Sequence, residues 1–353
     1  MDPLSAVDDQ PPGLGPAPAR GRLRRCPEDF QVTELPVCAP DGAGEHVWLR
    51  VRKRGQNTQW VARELARHAG VALGQVSYAG LKDRHAVTEQ WFSVHLPGRE
   101  APPWEALDSD GVTVLEHRRH GRKLRRGALR GNRFRLRVTD LQGDAPALER
   151  RLEQLRQRGA ANYFGPQRFG RGGANLQAAA ALFAGRLRRV SRQQRGLYLS
   201  AARSQLFNRV LAARVRGGTW DRPMDGDVLQ PDGSHGWFSA PPGDPAVQQR
   251  ADRLEIHPTG PLWGRGELPT QGACRGLELE AVRPWHPWCE GLAAAGLEQE
   301  RRALRIRVEG LHWALEGETL ELGFTLPRGA YATAVLNELI APAAPGERAG
   351  GGA

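Results

Sequence analysis

Asp83 lies near the centre of Tyr-Ala-Gly-Leu-Lys-Asp-Arg-His-Ala-Val-Thr-Glu-Gln-Trp-Phe-Ser-Val, residues 78–94, and is the first candidate in this chain for a reacting group. Its sequence neighbours Lys82 and Arg84 are cationic and favour an ionised carboxylate, which suits a nucleophile or an electrostatic stabiliser rather than a general acid. A solvated turn aspartate in a local ion pair is the other reading these residues leave open. A second constellation sits at 131–138, Gly-Asn-Arg-Phe-Arg-Leu-Arg-Val. Period-two alternation places Asn132, Phe134, Leu136 and Val138 on one face of a strand and Arg133, Arg135 and Arg137 on the other. An amide beside an aromatic ring suits a flipped base, the amide bonding its Watson–Crick edge and the ring stacking on its face. An asparagine at a strand start followed by a core phenylalanine is the alternative. Ten Lys or Arg fall between Arg118 and Arg137 with no Asp or Glu among them, and Arg122, Lys123, Arg125 and Arg126 are candidates for RNA-backbone contacts. Each phosphate so neutralised adds about one unit to the salt slope of nucleic-acid binding.

The elements that must hold these groups can be read around them. Residues 76–79 and 88–94 are rich in β-branched and aromatic side chains and predict two strands, with 80–85 as the connection that carries Asp83. Alternation from Phe30 puts Phe30 and Val32 on one face of a further strand, and 46–53 predicts another. Asn57-Thr58 offers an N-cap for a helix running to Gly70, with Trp60, Val61 and Leu65 on one side. Leu148, Leu152 and Leu155 mark an amphipathic helix ending at Gly159. Beyond it come a Gly- and aromatic-rich loop at 162–170 and helices over 174–183 and 199–215. A Pro-, Gly- and Asp-rich stretch follows at 217–267, then an aromatic knot at 285–288. Strand patterns resume at 305–315 and 319–326 as a hairpin, and a short helix after Gly329 carries Tyr331, Val335 and Leu339 on one face. The expected organisation is a tail at 1–20, a first domain at 21–157 and 305–341 interrupted by an insertion at 158–304, and a second tail at 342–353.

Composition narrows the function classes. The chain has 353 residues, and 50 Lys plus Arg against 39 Asp plus Glu give a net charge of +11 and favour a polyanionic partner. Cys26, Cys38, Cys274 and Cys289 lack C-x-x-C spacing and read as reduced thiols of a cytoplasmic protein. His286 lies three residues before Cys289, but no second half-site has matching spacing, so no metal is expected. Gly-Pro-Leu-Trp-Gly at 260–264 does not fit a dinucleotide fingerprint. No window is apolar enough to span a membrane.

Several motifs occur in one order: Pro-Glu-Asp-Phe at 27–30, Gly-Glu-His at 44–46, Asn-Thr at 57–58 and Ala-Gly-Leu-Lys-Asp-Arg-His-Ala-Val-Thr-Glu-Gln-Trp at 79–91. They continue with Arg-Lys-Leu-Arg-Arg-Gly-Ala-Leu-Arg-Gly-Asn-Arg-Phe at 122–134, Asn-Tyr-Phe-Gly-Pro-Gln-Arg-Phe-Gly at 162–170, Leu-Ser-Ala-Ala-Arg-Ser at 199–204 and Leu-Pro-Arg-Gly-Ala-Tyr-Ala-Thr at 326–333. With these motifs the chain resembles the TruD family of tRNA pseudouridine synthases from about Leu23 to Ile340. The resemblance implies an α+β fold: a catalytic domain around a mixed, mostly antiparallel sheet flanked by helices, with an inserted α/β domain. It implies Asp83 as the catalytic aspartate, acting either at C1′ or on the C2′ proton of the ribose. Phe30, Asn132 and Tyr331 match positions that contact the target nucleotide, and Phe134 matches the aromatic expected to stack on the uracil. Arg24 stands where the family's active-site Lys is expected, which keeps charge but not point-like geometry. Asn337 stands where the family has Arg, at the expense of a salt link or phosphate contact. The implied substrate is the uridine at position 13 in the D-arm of a tRNA, that of glutamate, with no cofactor and a monomeric enzyme. An RNA-binding protein without catalysis and a uracil-releasing glycosidase are the alternatives. The first does not need Asp83, and the second normally wants another carboxylate to activate water, which this motif lacks.

Overall fold

The computed structural model describes residues 10–107, 110–187, 189–241 and 243–341. The chain divides into two compact units. One comprises Arg20–Gln142 and Glu309–Gly329; the other comprises Met1–Ala19, Gly143–Val308 and Ala330–Ala353.

The first unit is built on a nine-stranded sheet whose strands, in chain order, are β1 (Ala19–Leu23), β2 (Phe30–Pro36), β3 (His46–Arg54), β4 (Val76–Tyr78), β5 (Val87–His95), β6 (Val112–His120), β7 (Leu129–Gly143), β8 (Glu309–Glu316) and β9 (Thr319–Pro327). The spatial order is β8-β9-β7-β2-β5-β3-β6, with β1 added to β7 and β4 to β5. The β2–β5 pair is parallel, while β3–β5, β3–β6, β2–β7, β7–β9 and β8–β9 are antiparallel. Register aligns the alternating residues into rungs across the sheet. Phe134 lies opposite Phe324 and Val32, Val32 opposite Thr88, and Thr88 opposite Lys53. On this face the helix α1 (Thr58–Ala69) covers the β3–β5 end, burying Val61 and Leu65 completely against Val47, Leu49, Val51, Phe92 and Val94. Each such side chain contributes about 1.5–3 kcal/mol. Gly70 ends α1 in the left-handed conformation, at φ 59°, where a Cβ would be strained. On the opposite face Arg52, Arg133, Arg135 and Arg137 are exposed, as the alternation requires.

The second unit packs helices around Arg192–Arg216, which buries Leu199, Ala202, Leu206, Phe207, Val210 and Leu211. This helix is longer than the 199–215 pattern because Ser191 caps it, its hydroxyl accepting from the Gln194 N–H while Gln194 bonds back. Helices Ala145–Arg158, Ala174–Phe183, Gly272–Val282 and His286–Ala294 belong to this unit, with a four-stranded antiparallel sheet formed by Phe238–Ser239, Val228–Pro231, Ile256–Leu262 and Glu300–Ala303. The expected insertion at 158–304 lies within it, together with the helix before it and the segment from Ala330. Arg305–Ile306, read from sequence as the start of the terminal hairpin, pairs instead with Ala160–Ala161. Arg305 is buried there, its guanidinium donating to the carbonyls of Asp221, Ala251 and Ile256.

Residues 10–18, whose composition predicts no structure, are held by polar contacts that leave no mark in hydropathy. The buried Glu338 carboxylate accepts from the N–H groups of Gly13 and Leu14, each at 2.9 Å, and from that of Ala161 at 3.2 Å. Burial raises its pKa despite these bonds. Residues 1–9 and 342–353, the rest of the two expected tails, lie outside the described residues. Among the described residues, no helix is long and apolar enough to cross a membrane.

Candidate active site

Asp83 stands on the connection from β4 to β5, and the sheet beneath it supplies the clamps. Lys53 is fully buried and its ammonium donates to the Asp83 carbonyl at 2.6 Å. Lys82 reaches the buried Glu34 at 2.6 Å, and the other Glu34 oxygen accepts from the Trp91 N–H at 3.2 Å. The Thr58 hydroxyl accepts from the Lys82 N–H at 3.0 Å and donates to Gln90 Oε1 at 2.9 Å, while Gln90 Nε2 donates to the Gly80 carbonyl at 3.2 Å. Thr58, read from sequence as part of an N-cap, thus serves the loop; Asn57 is the cap residue and makes no side-chain capping bond. Burial pulls the Lys53 ammonium down to about 8, with Asp83 opposing and Lys82 adding to the fall.

The cation that meets the Asp83 carboxylate is neither sequence neighbour. Lys82 is engaged by Glu34, and Arg84 Nε donates to the Gly55 carbonyl. Arg24 Nη2 instead donates to Asp83 Oδ2 at 2.8 Å. Both side chains are 30% exposed, so the pair is partly hydrated and contributes orientation more than stability. Arg24 adopts φ 62°, a left-handed conformation that non-glycine residues rarely take. Its neighbours Arg22 and Arg25 both lie beside Asp140, at 3.5 and 3.6 Å, in exposed ion pairs on either side of the turn.

The Arg24 guanidinium also lies 3.9 Å above the Phe30 ring. Phe30 meets Phe134 edge-on at 6.2 Å, and Phe134 stacks on Phe324 at 5.4 Å. All three rings are buried. Asn132 lies opposite Glu34 and Leu326 in register, two residues along the strand from Phe134 and on the same face. Its Oδ1 is buried and has no hydrogen-bond partner, and the same is true of Thr88 Oγ1. Asp83, Arg24, Phe30, Phe134 and Asn132 therefore belong to one unit and one face of its sheet. Tyr331 belongs to the other unit, where its hydroxyl accepts from Arg168 Nε at 3.1 Å. Asn337 there donates to the Gln10 carbonyl at 3.0 Å.

Arg122, Lys123, Arg125 and Arg126 are all exposed. Lys123, Arg125 and Arg126 line a groove of about 610 Å³ with Gln59, Arg63 and Tyr78, and Asp83 is not among its lining residues. Arg126 lies 4.2 Å over the Tyr78 ring, which holds one of these cations flat against the groove.

Lys53 and Glu34 escaped the sequence reading although a signal was there, and Lys82 was read only as a neighbour of Asp83. Glu34 follows Phe30 and Val32, and Lys53 follows Leu49 and Val51, in the inward phase of alternating strands. A charged residue in an inward phase must find a partner, because an unpaired buried charge is costly.

A family model described as tRNA pseudouridine synthase D matches residues 15–185 and 174–339. A tRNA pseudouridine synthase D of Methylococcus capsulatus is 51% identical over 334 residues, covering 94% of each chain. One of Nitrosococcus oceani is 52% identical over 330 residues, covering 92% of each. The crystal structure of a putative tRNA pseudouridine synthase D from Methanosarcina mazei shares the fold, with a TM-score of 0.70 at 19% identity over 93% of this chain and 95% of that one. With two matched segments that together run from residue 15 to 339 and relatives half identical along nearly their whole length, this chain belongs to the tRNA pseudouridine synthase D family.

Proposed function

We propose that the chain isomerises the uridine at position 13 in the D-arm of a tRNA, that of glutamate, with Asp83 acting on the ribose of a flipped nucleotide. The observation that carries the nucleotide reading is the unsatisfied Asn132 Oδ1, on the same face as Phe134. Buried polar atoms in folded proteins are nearly always bonded, so an orphaned acceptor beside an aromatic cluster calls for a donor from outside. The N3–H of uracil is such a donor. Arg24 holds the carboxylate in place from one side while Lys53 fixes the backbone that carries it. Carbodiimide labelling and primer extension of cellular tRNA, with and without this protein, test the substrate directly. Loss of the pseudouridine stop at position 13 in cells lacking the protein is the expected result; an unchanged stop overturns it.

The basic groove and the amide have separable roles. Removing Arg122, Lys123, Arg125 and Arg126 together should weaken binding to every RNA and flatten its salt dependence. Asn132→Ala should instead slow turnover with little change in that dependence. Binding isotherms in a KCl series check both, and equal changes of slope would place Asn132 on phosphate rather than base.

Phe134 is buried between two rings before any substrate arrives, so its replacement carries a stability cost alongside a catalytic one. Phe134→Leu keeps most of the volume but forfeits the aromatic pairs, a loss of about 1–3 kcal/mol. If the ring also stacks on the uracil, single-turnover rate should fall by about five- to 150-fold. Thermal unfolding and single-turnover assays on the folded variant separate the two. A Leu variant that turns over normally once folded would make Phe134 a core residue alone.

A further inference from the structure

The loop at 162–170 gathers positive charge around one ring. The Arg302 guanidinium lies 4.1 Å from the Phe164 centroid and that of Arg168 lies 5.4 Å from it. Arg168 Nε donates to the Tyr331 hydroxyl and Nη1 to the Ser200 hydroxyl, both at 3.1 Å. Arg302 Nη2 donates to Asn162 Oδ1 at 2.6 Å. Both acceptors of Arg168 are neutral hydroxyls, and among the described residues it makes no ion pair with a carboxylate. Burial draws Arg302 down to about 10; Tyr331 opposes the fall and the nearby Arg168 charge deepens it. Two guanidinium groups are thus held beside one ring.

Arg305 of the same unit is spread over backbone carbonyls, whereas two other buried arginines are neutralised within the fold. Arg214 meets Asp227 at 2.7 Å, and Arg301 meets Glu278 at 2.7 Å. There the fold supplies the anion itself, as burial of a charge normally demands. At Arg168 it supplies hydroxyls, which orient the planar guanidinium without neutralising it. A guanidinium so oriented is suited to the tetrahedral oxygens of a phosphodiester, which it can grip through two N–H groups. We propose that Arg168 binds one phosphodiester of the RNA backbone, adjacent to Tyr331. The proposal rests on the reading of the chain as a tRNA-modifying enzyme and adds to it a phosphate contact in the second unit. Tyr331 would then report occupancy of this site, because its hydroxyl shares Arg168 with the phosphate.

Arg168→Gln tests the site without removing hydrogen-bonding capacity towards Tyr331. Binding of an unmodified tRNA transcript in a KCl series should weaken about tenfold at low salt, and the slope of log K against log[KCl] should fall by about 0.7–0.9, the share of one phosphate. Arg168→Lys should keep the slope while losing part of the affinity, since charge survives and the fork does not. A set of transcripts with single neutral methylphosphonate linkages locates the contact: at one linkage the wild-type protein should lose affinity and Arg168→Gln should lose none further. Thermal unfolding of both variants distinguishes a folding defect, which would lower the competent fraction but leave the slope at its wild-type value. An unchanged slope in folded Arg168→Gln, or additive losses at every linkage, overturns the phosphate site. A wild-type protein that neither binds nor isomerises the transcript would instead overturn the functional reading beneath it.

Discussion

Asp83→Asn should abolish pseudouridine formation, with turnover down by at least about 10⁴-fold and tRNA binding within a few-fold of wild type. The amide keeps the shape of the side chain and can still bond Arg24, but it cannot act as a nucleophile or take a proton. The clamps on the loop run through the Asp83 carbonyl and through its neighbour Lys82, neither of which the substitution touches. Stability should therefore change little, because the Arg24–Asp83 pair is partly exposed. Carbodiimide labelling of the product and filter binding of the same transcript give both readouts. Substantial turnover in folded Asp83→Asn would move the chemistry to another group.

Glu34→Gln should produce the largest loss of stability among substitutions near the site. It leaves the Lys82 ammonium buried without its counter-charge, which costs about 3–5 kcal/mol. For units of this size that is a fall in Tm of about 10 °C. Activity should fall with it even below the transition, since Lys82 anchors the peptide next to Asp83. The double variant Glu34→Leu with Lys82→Met removes both charges and should recover much of the stability, but not the activity. Thermal unfolding and turnover of the single and double variants decide the matter. A double variant as unstable as the single one would show that the packing of the loop, not the charge pair, holds it.

The sequence made the strands around Asp83 legible because local alternation and turn chemistry agree with the tertiary outcome. The helix Thr58–Ala69 and the strand through Asn132 and Phe134 follow the same rule. The Arg24–Asp83 contact is not a local matter. Charge counting along the chain points to Lys82 and Arg84, whereas both side chains are used elsewhere and the partner comes from a distant turn beside Asp140. Strand β6 was hidden by its own composition, since Glu-His-Arg-Arg-His at 116–120 reads as a solvated charge run, yet the strand pairs with β3 at the edge of the sheet. The Pro-rich stretch at 217–267 was opaque for a related reason. Its strands are short, and its stabilising contacts are buried polar ones, such as Arg214 with Asp227 and Arg305 with three carbonyls.

The pairing of β7 with β9, running from Val138–Leu320 to Gly131–Pro327, has a consequence for how this protein can be made. While the ribosome is still translating the intervening residues, β7 has no neighbour on that side, and Phe134 lacks the Phe324 ring on which it stacks. A half-made chain thus displays an open strand edge with apolar side chains, the kind of surface on which nascent polypeptides associate wrongly. The other unit is in the same position, because Glu338 must arrive before Gly13, Leu14 and Ala161 find their acceptor. Closure of both units waits for the last part of the message, so premature termination anywhere upstream of Thr319 leaves two incomplete bodies rather than one finished domain and one fragment.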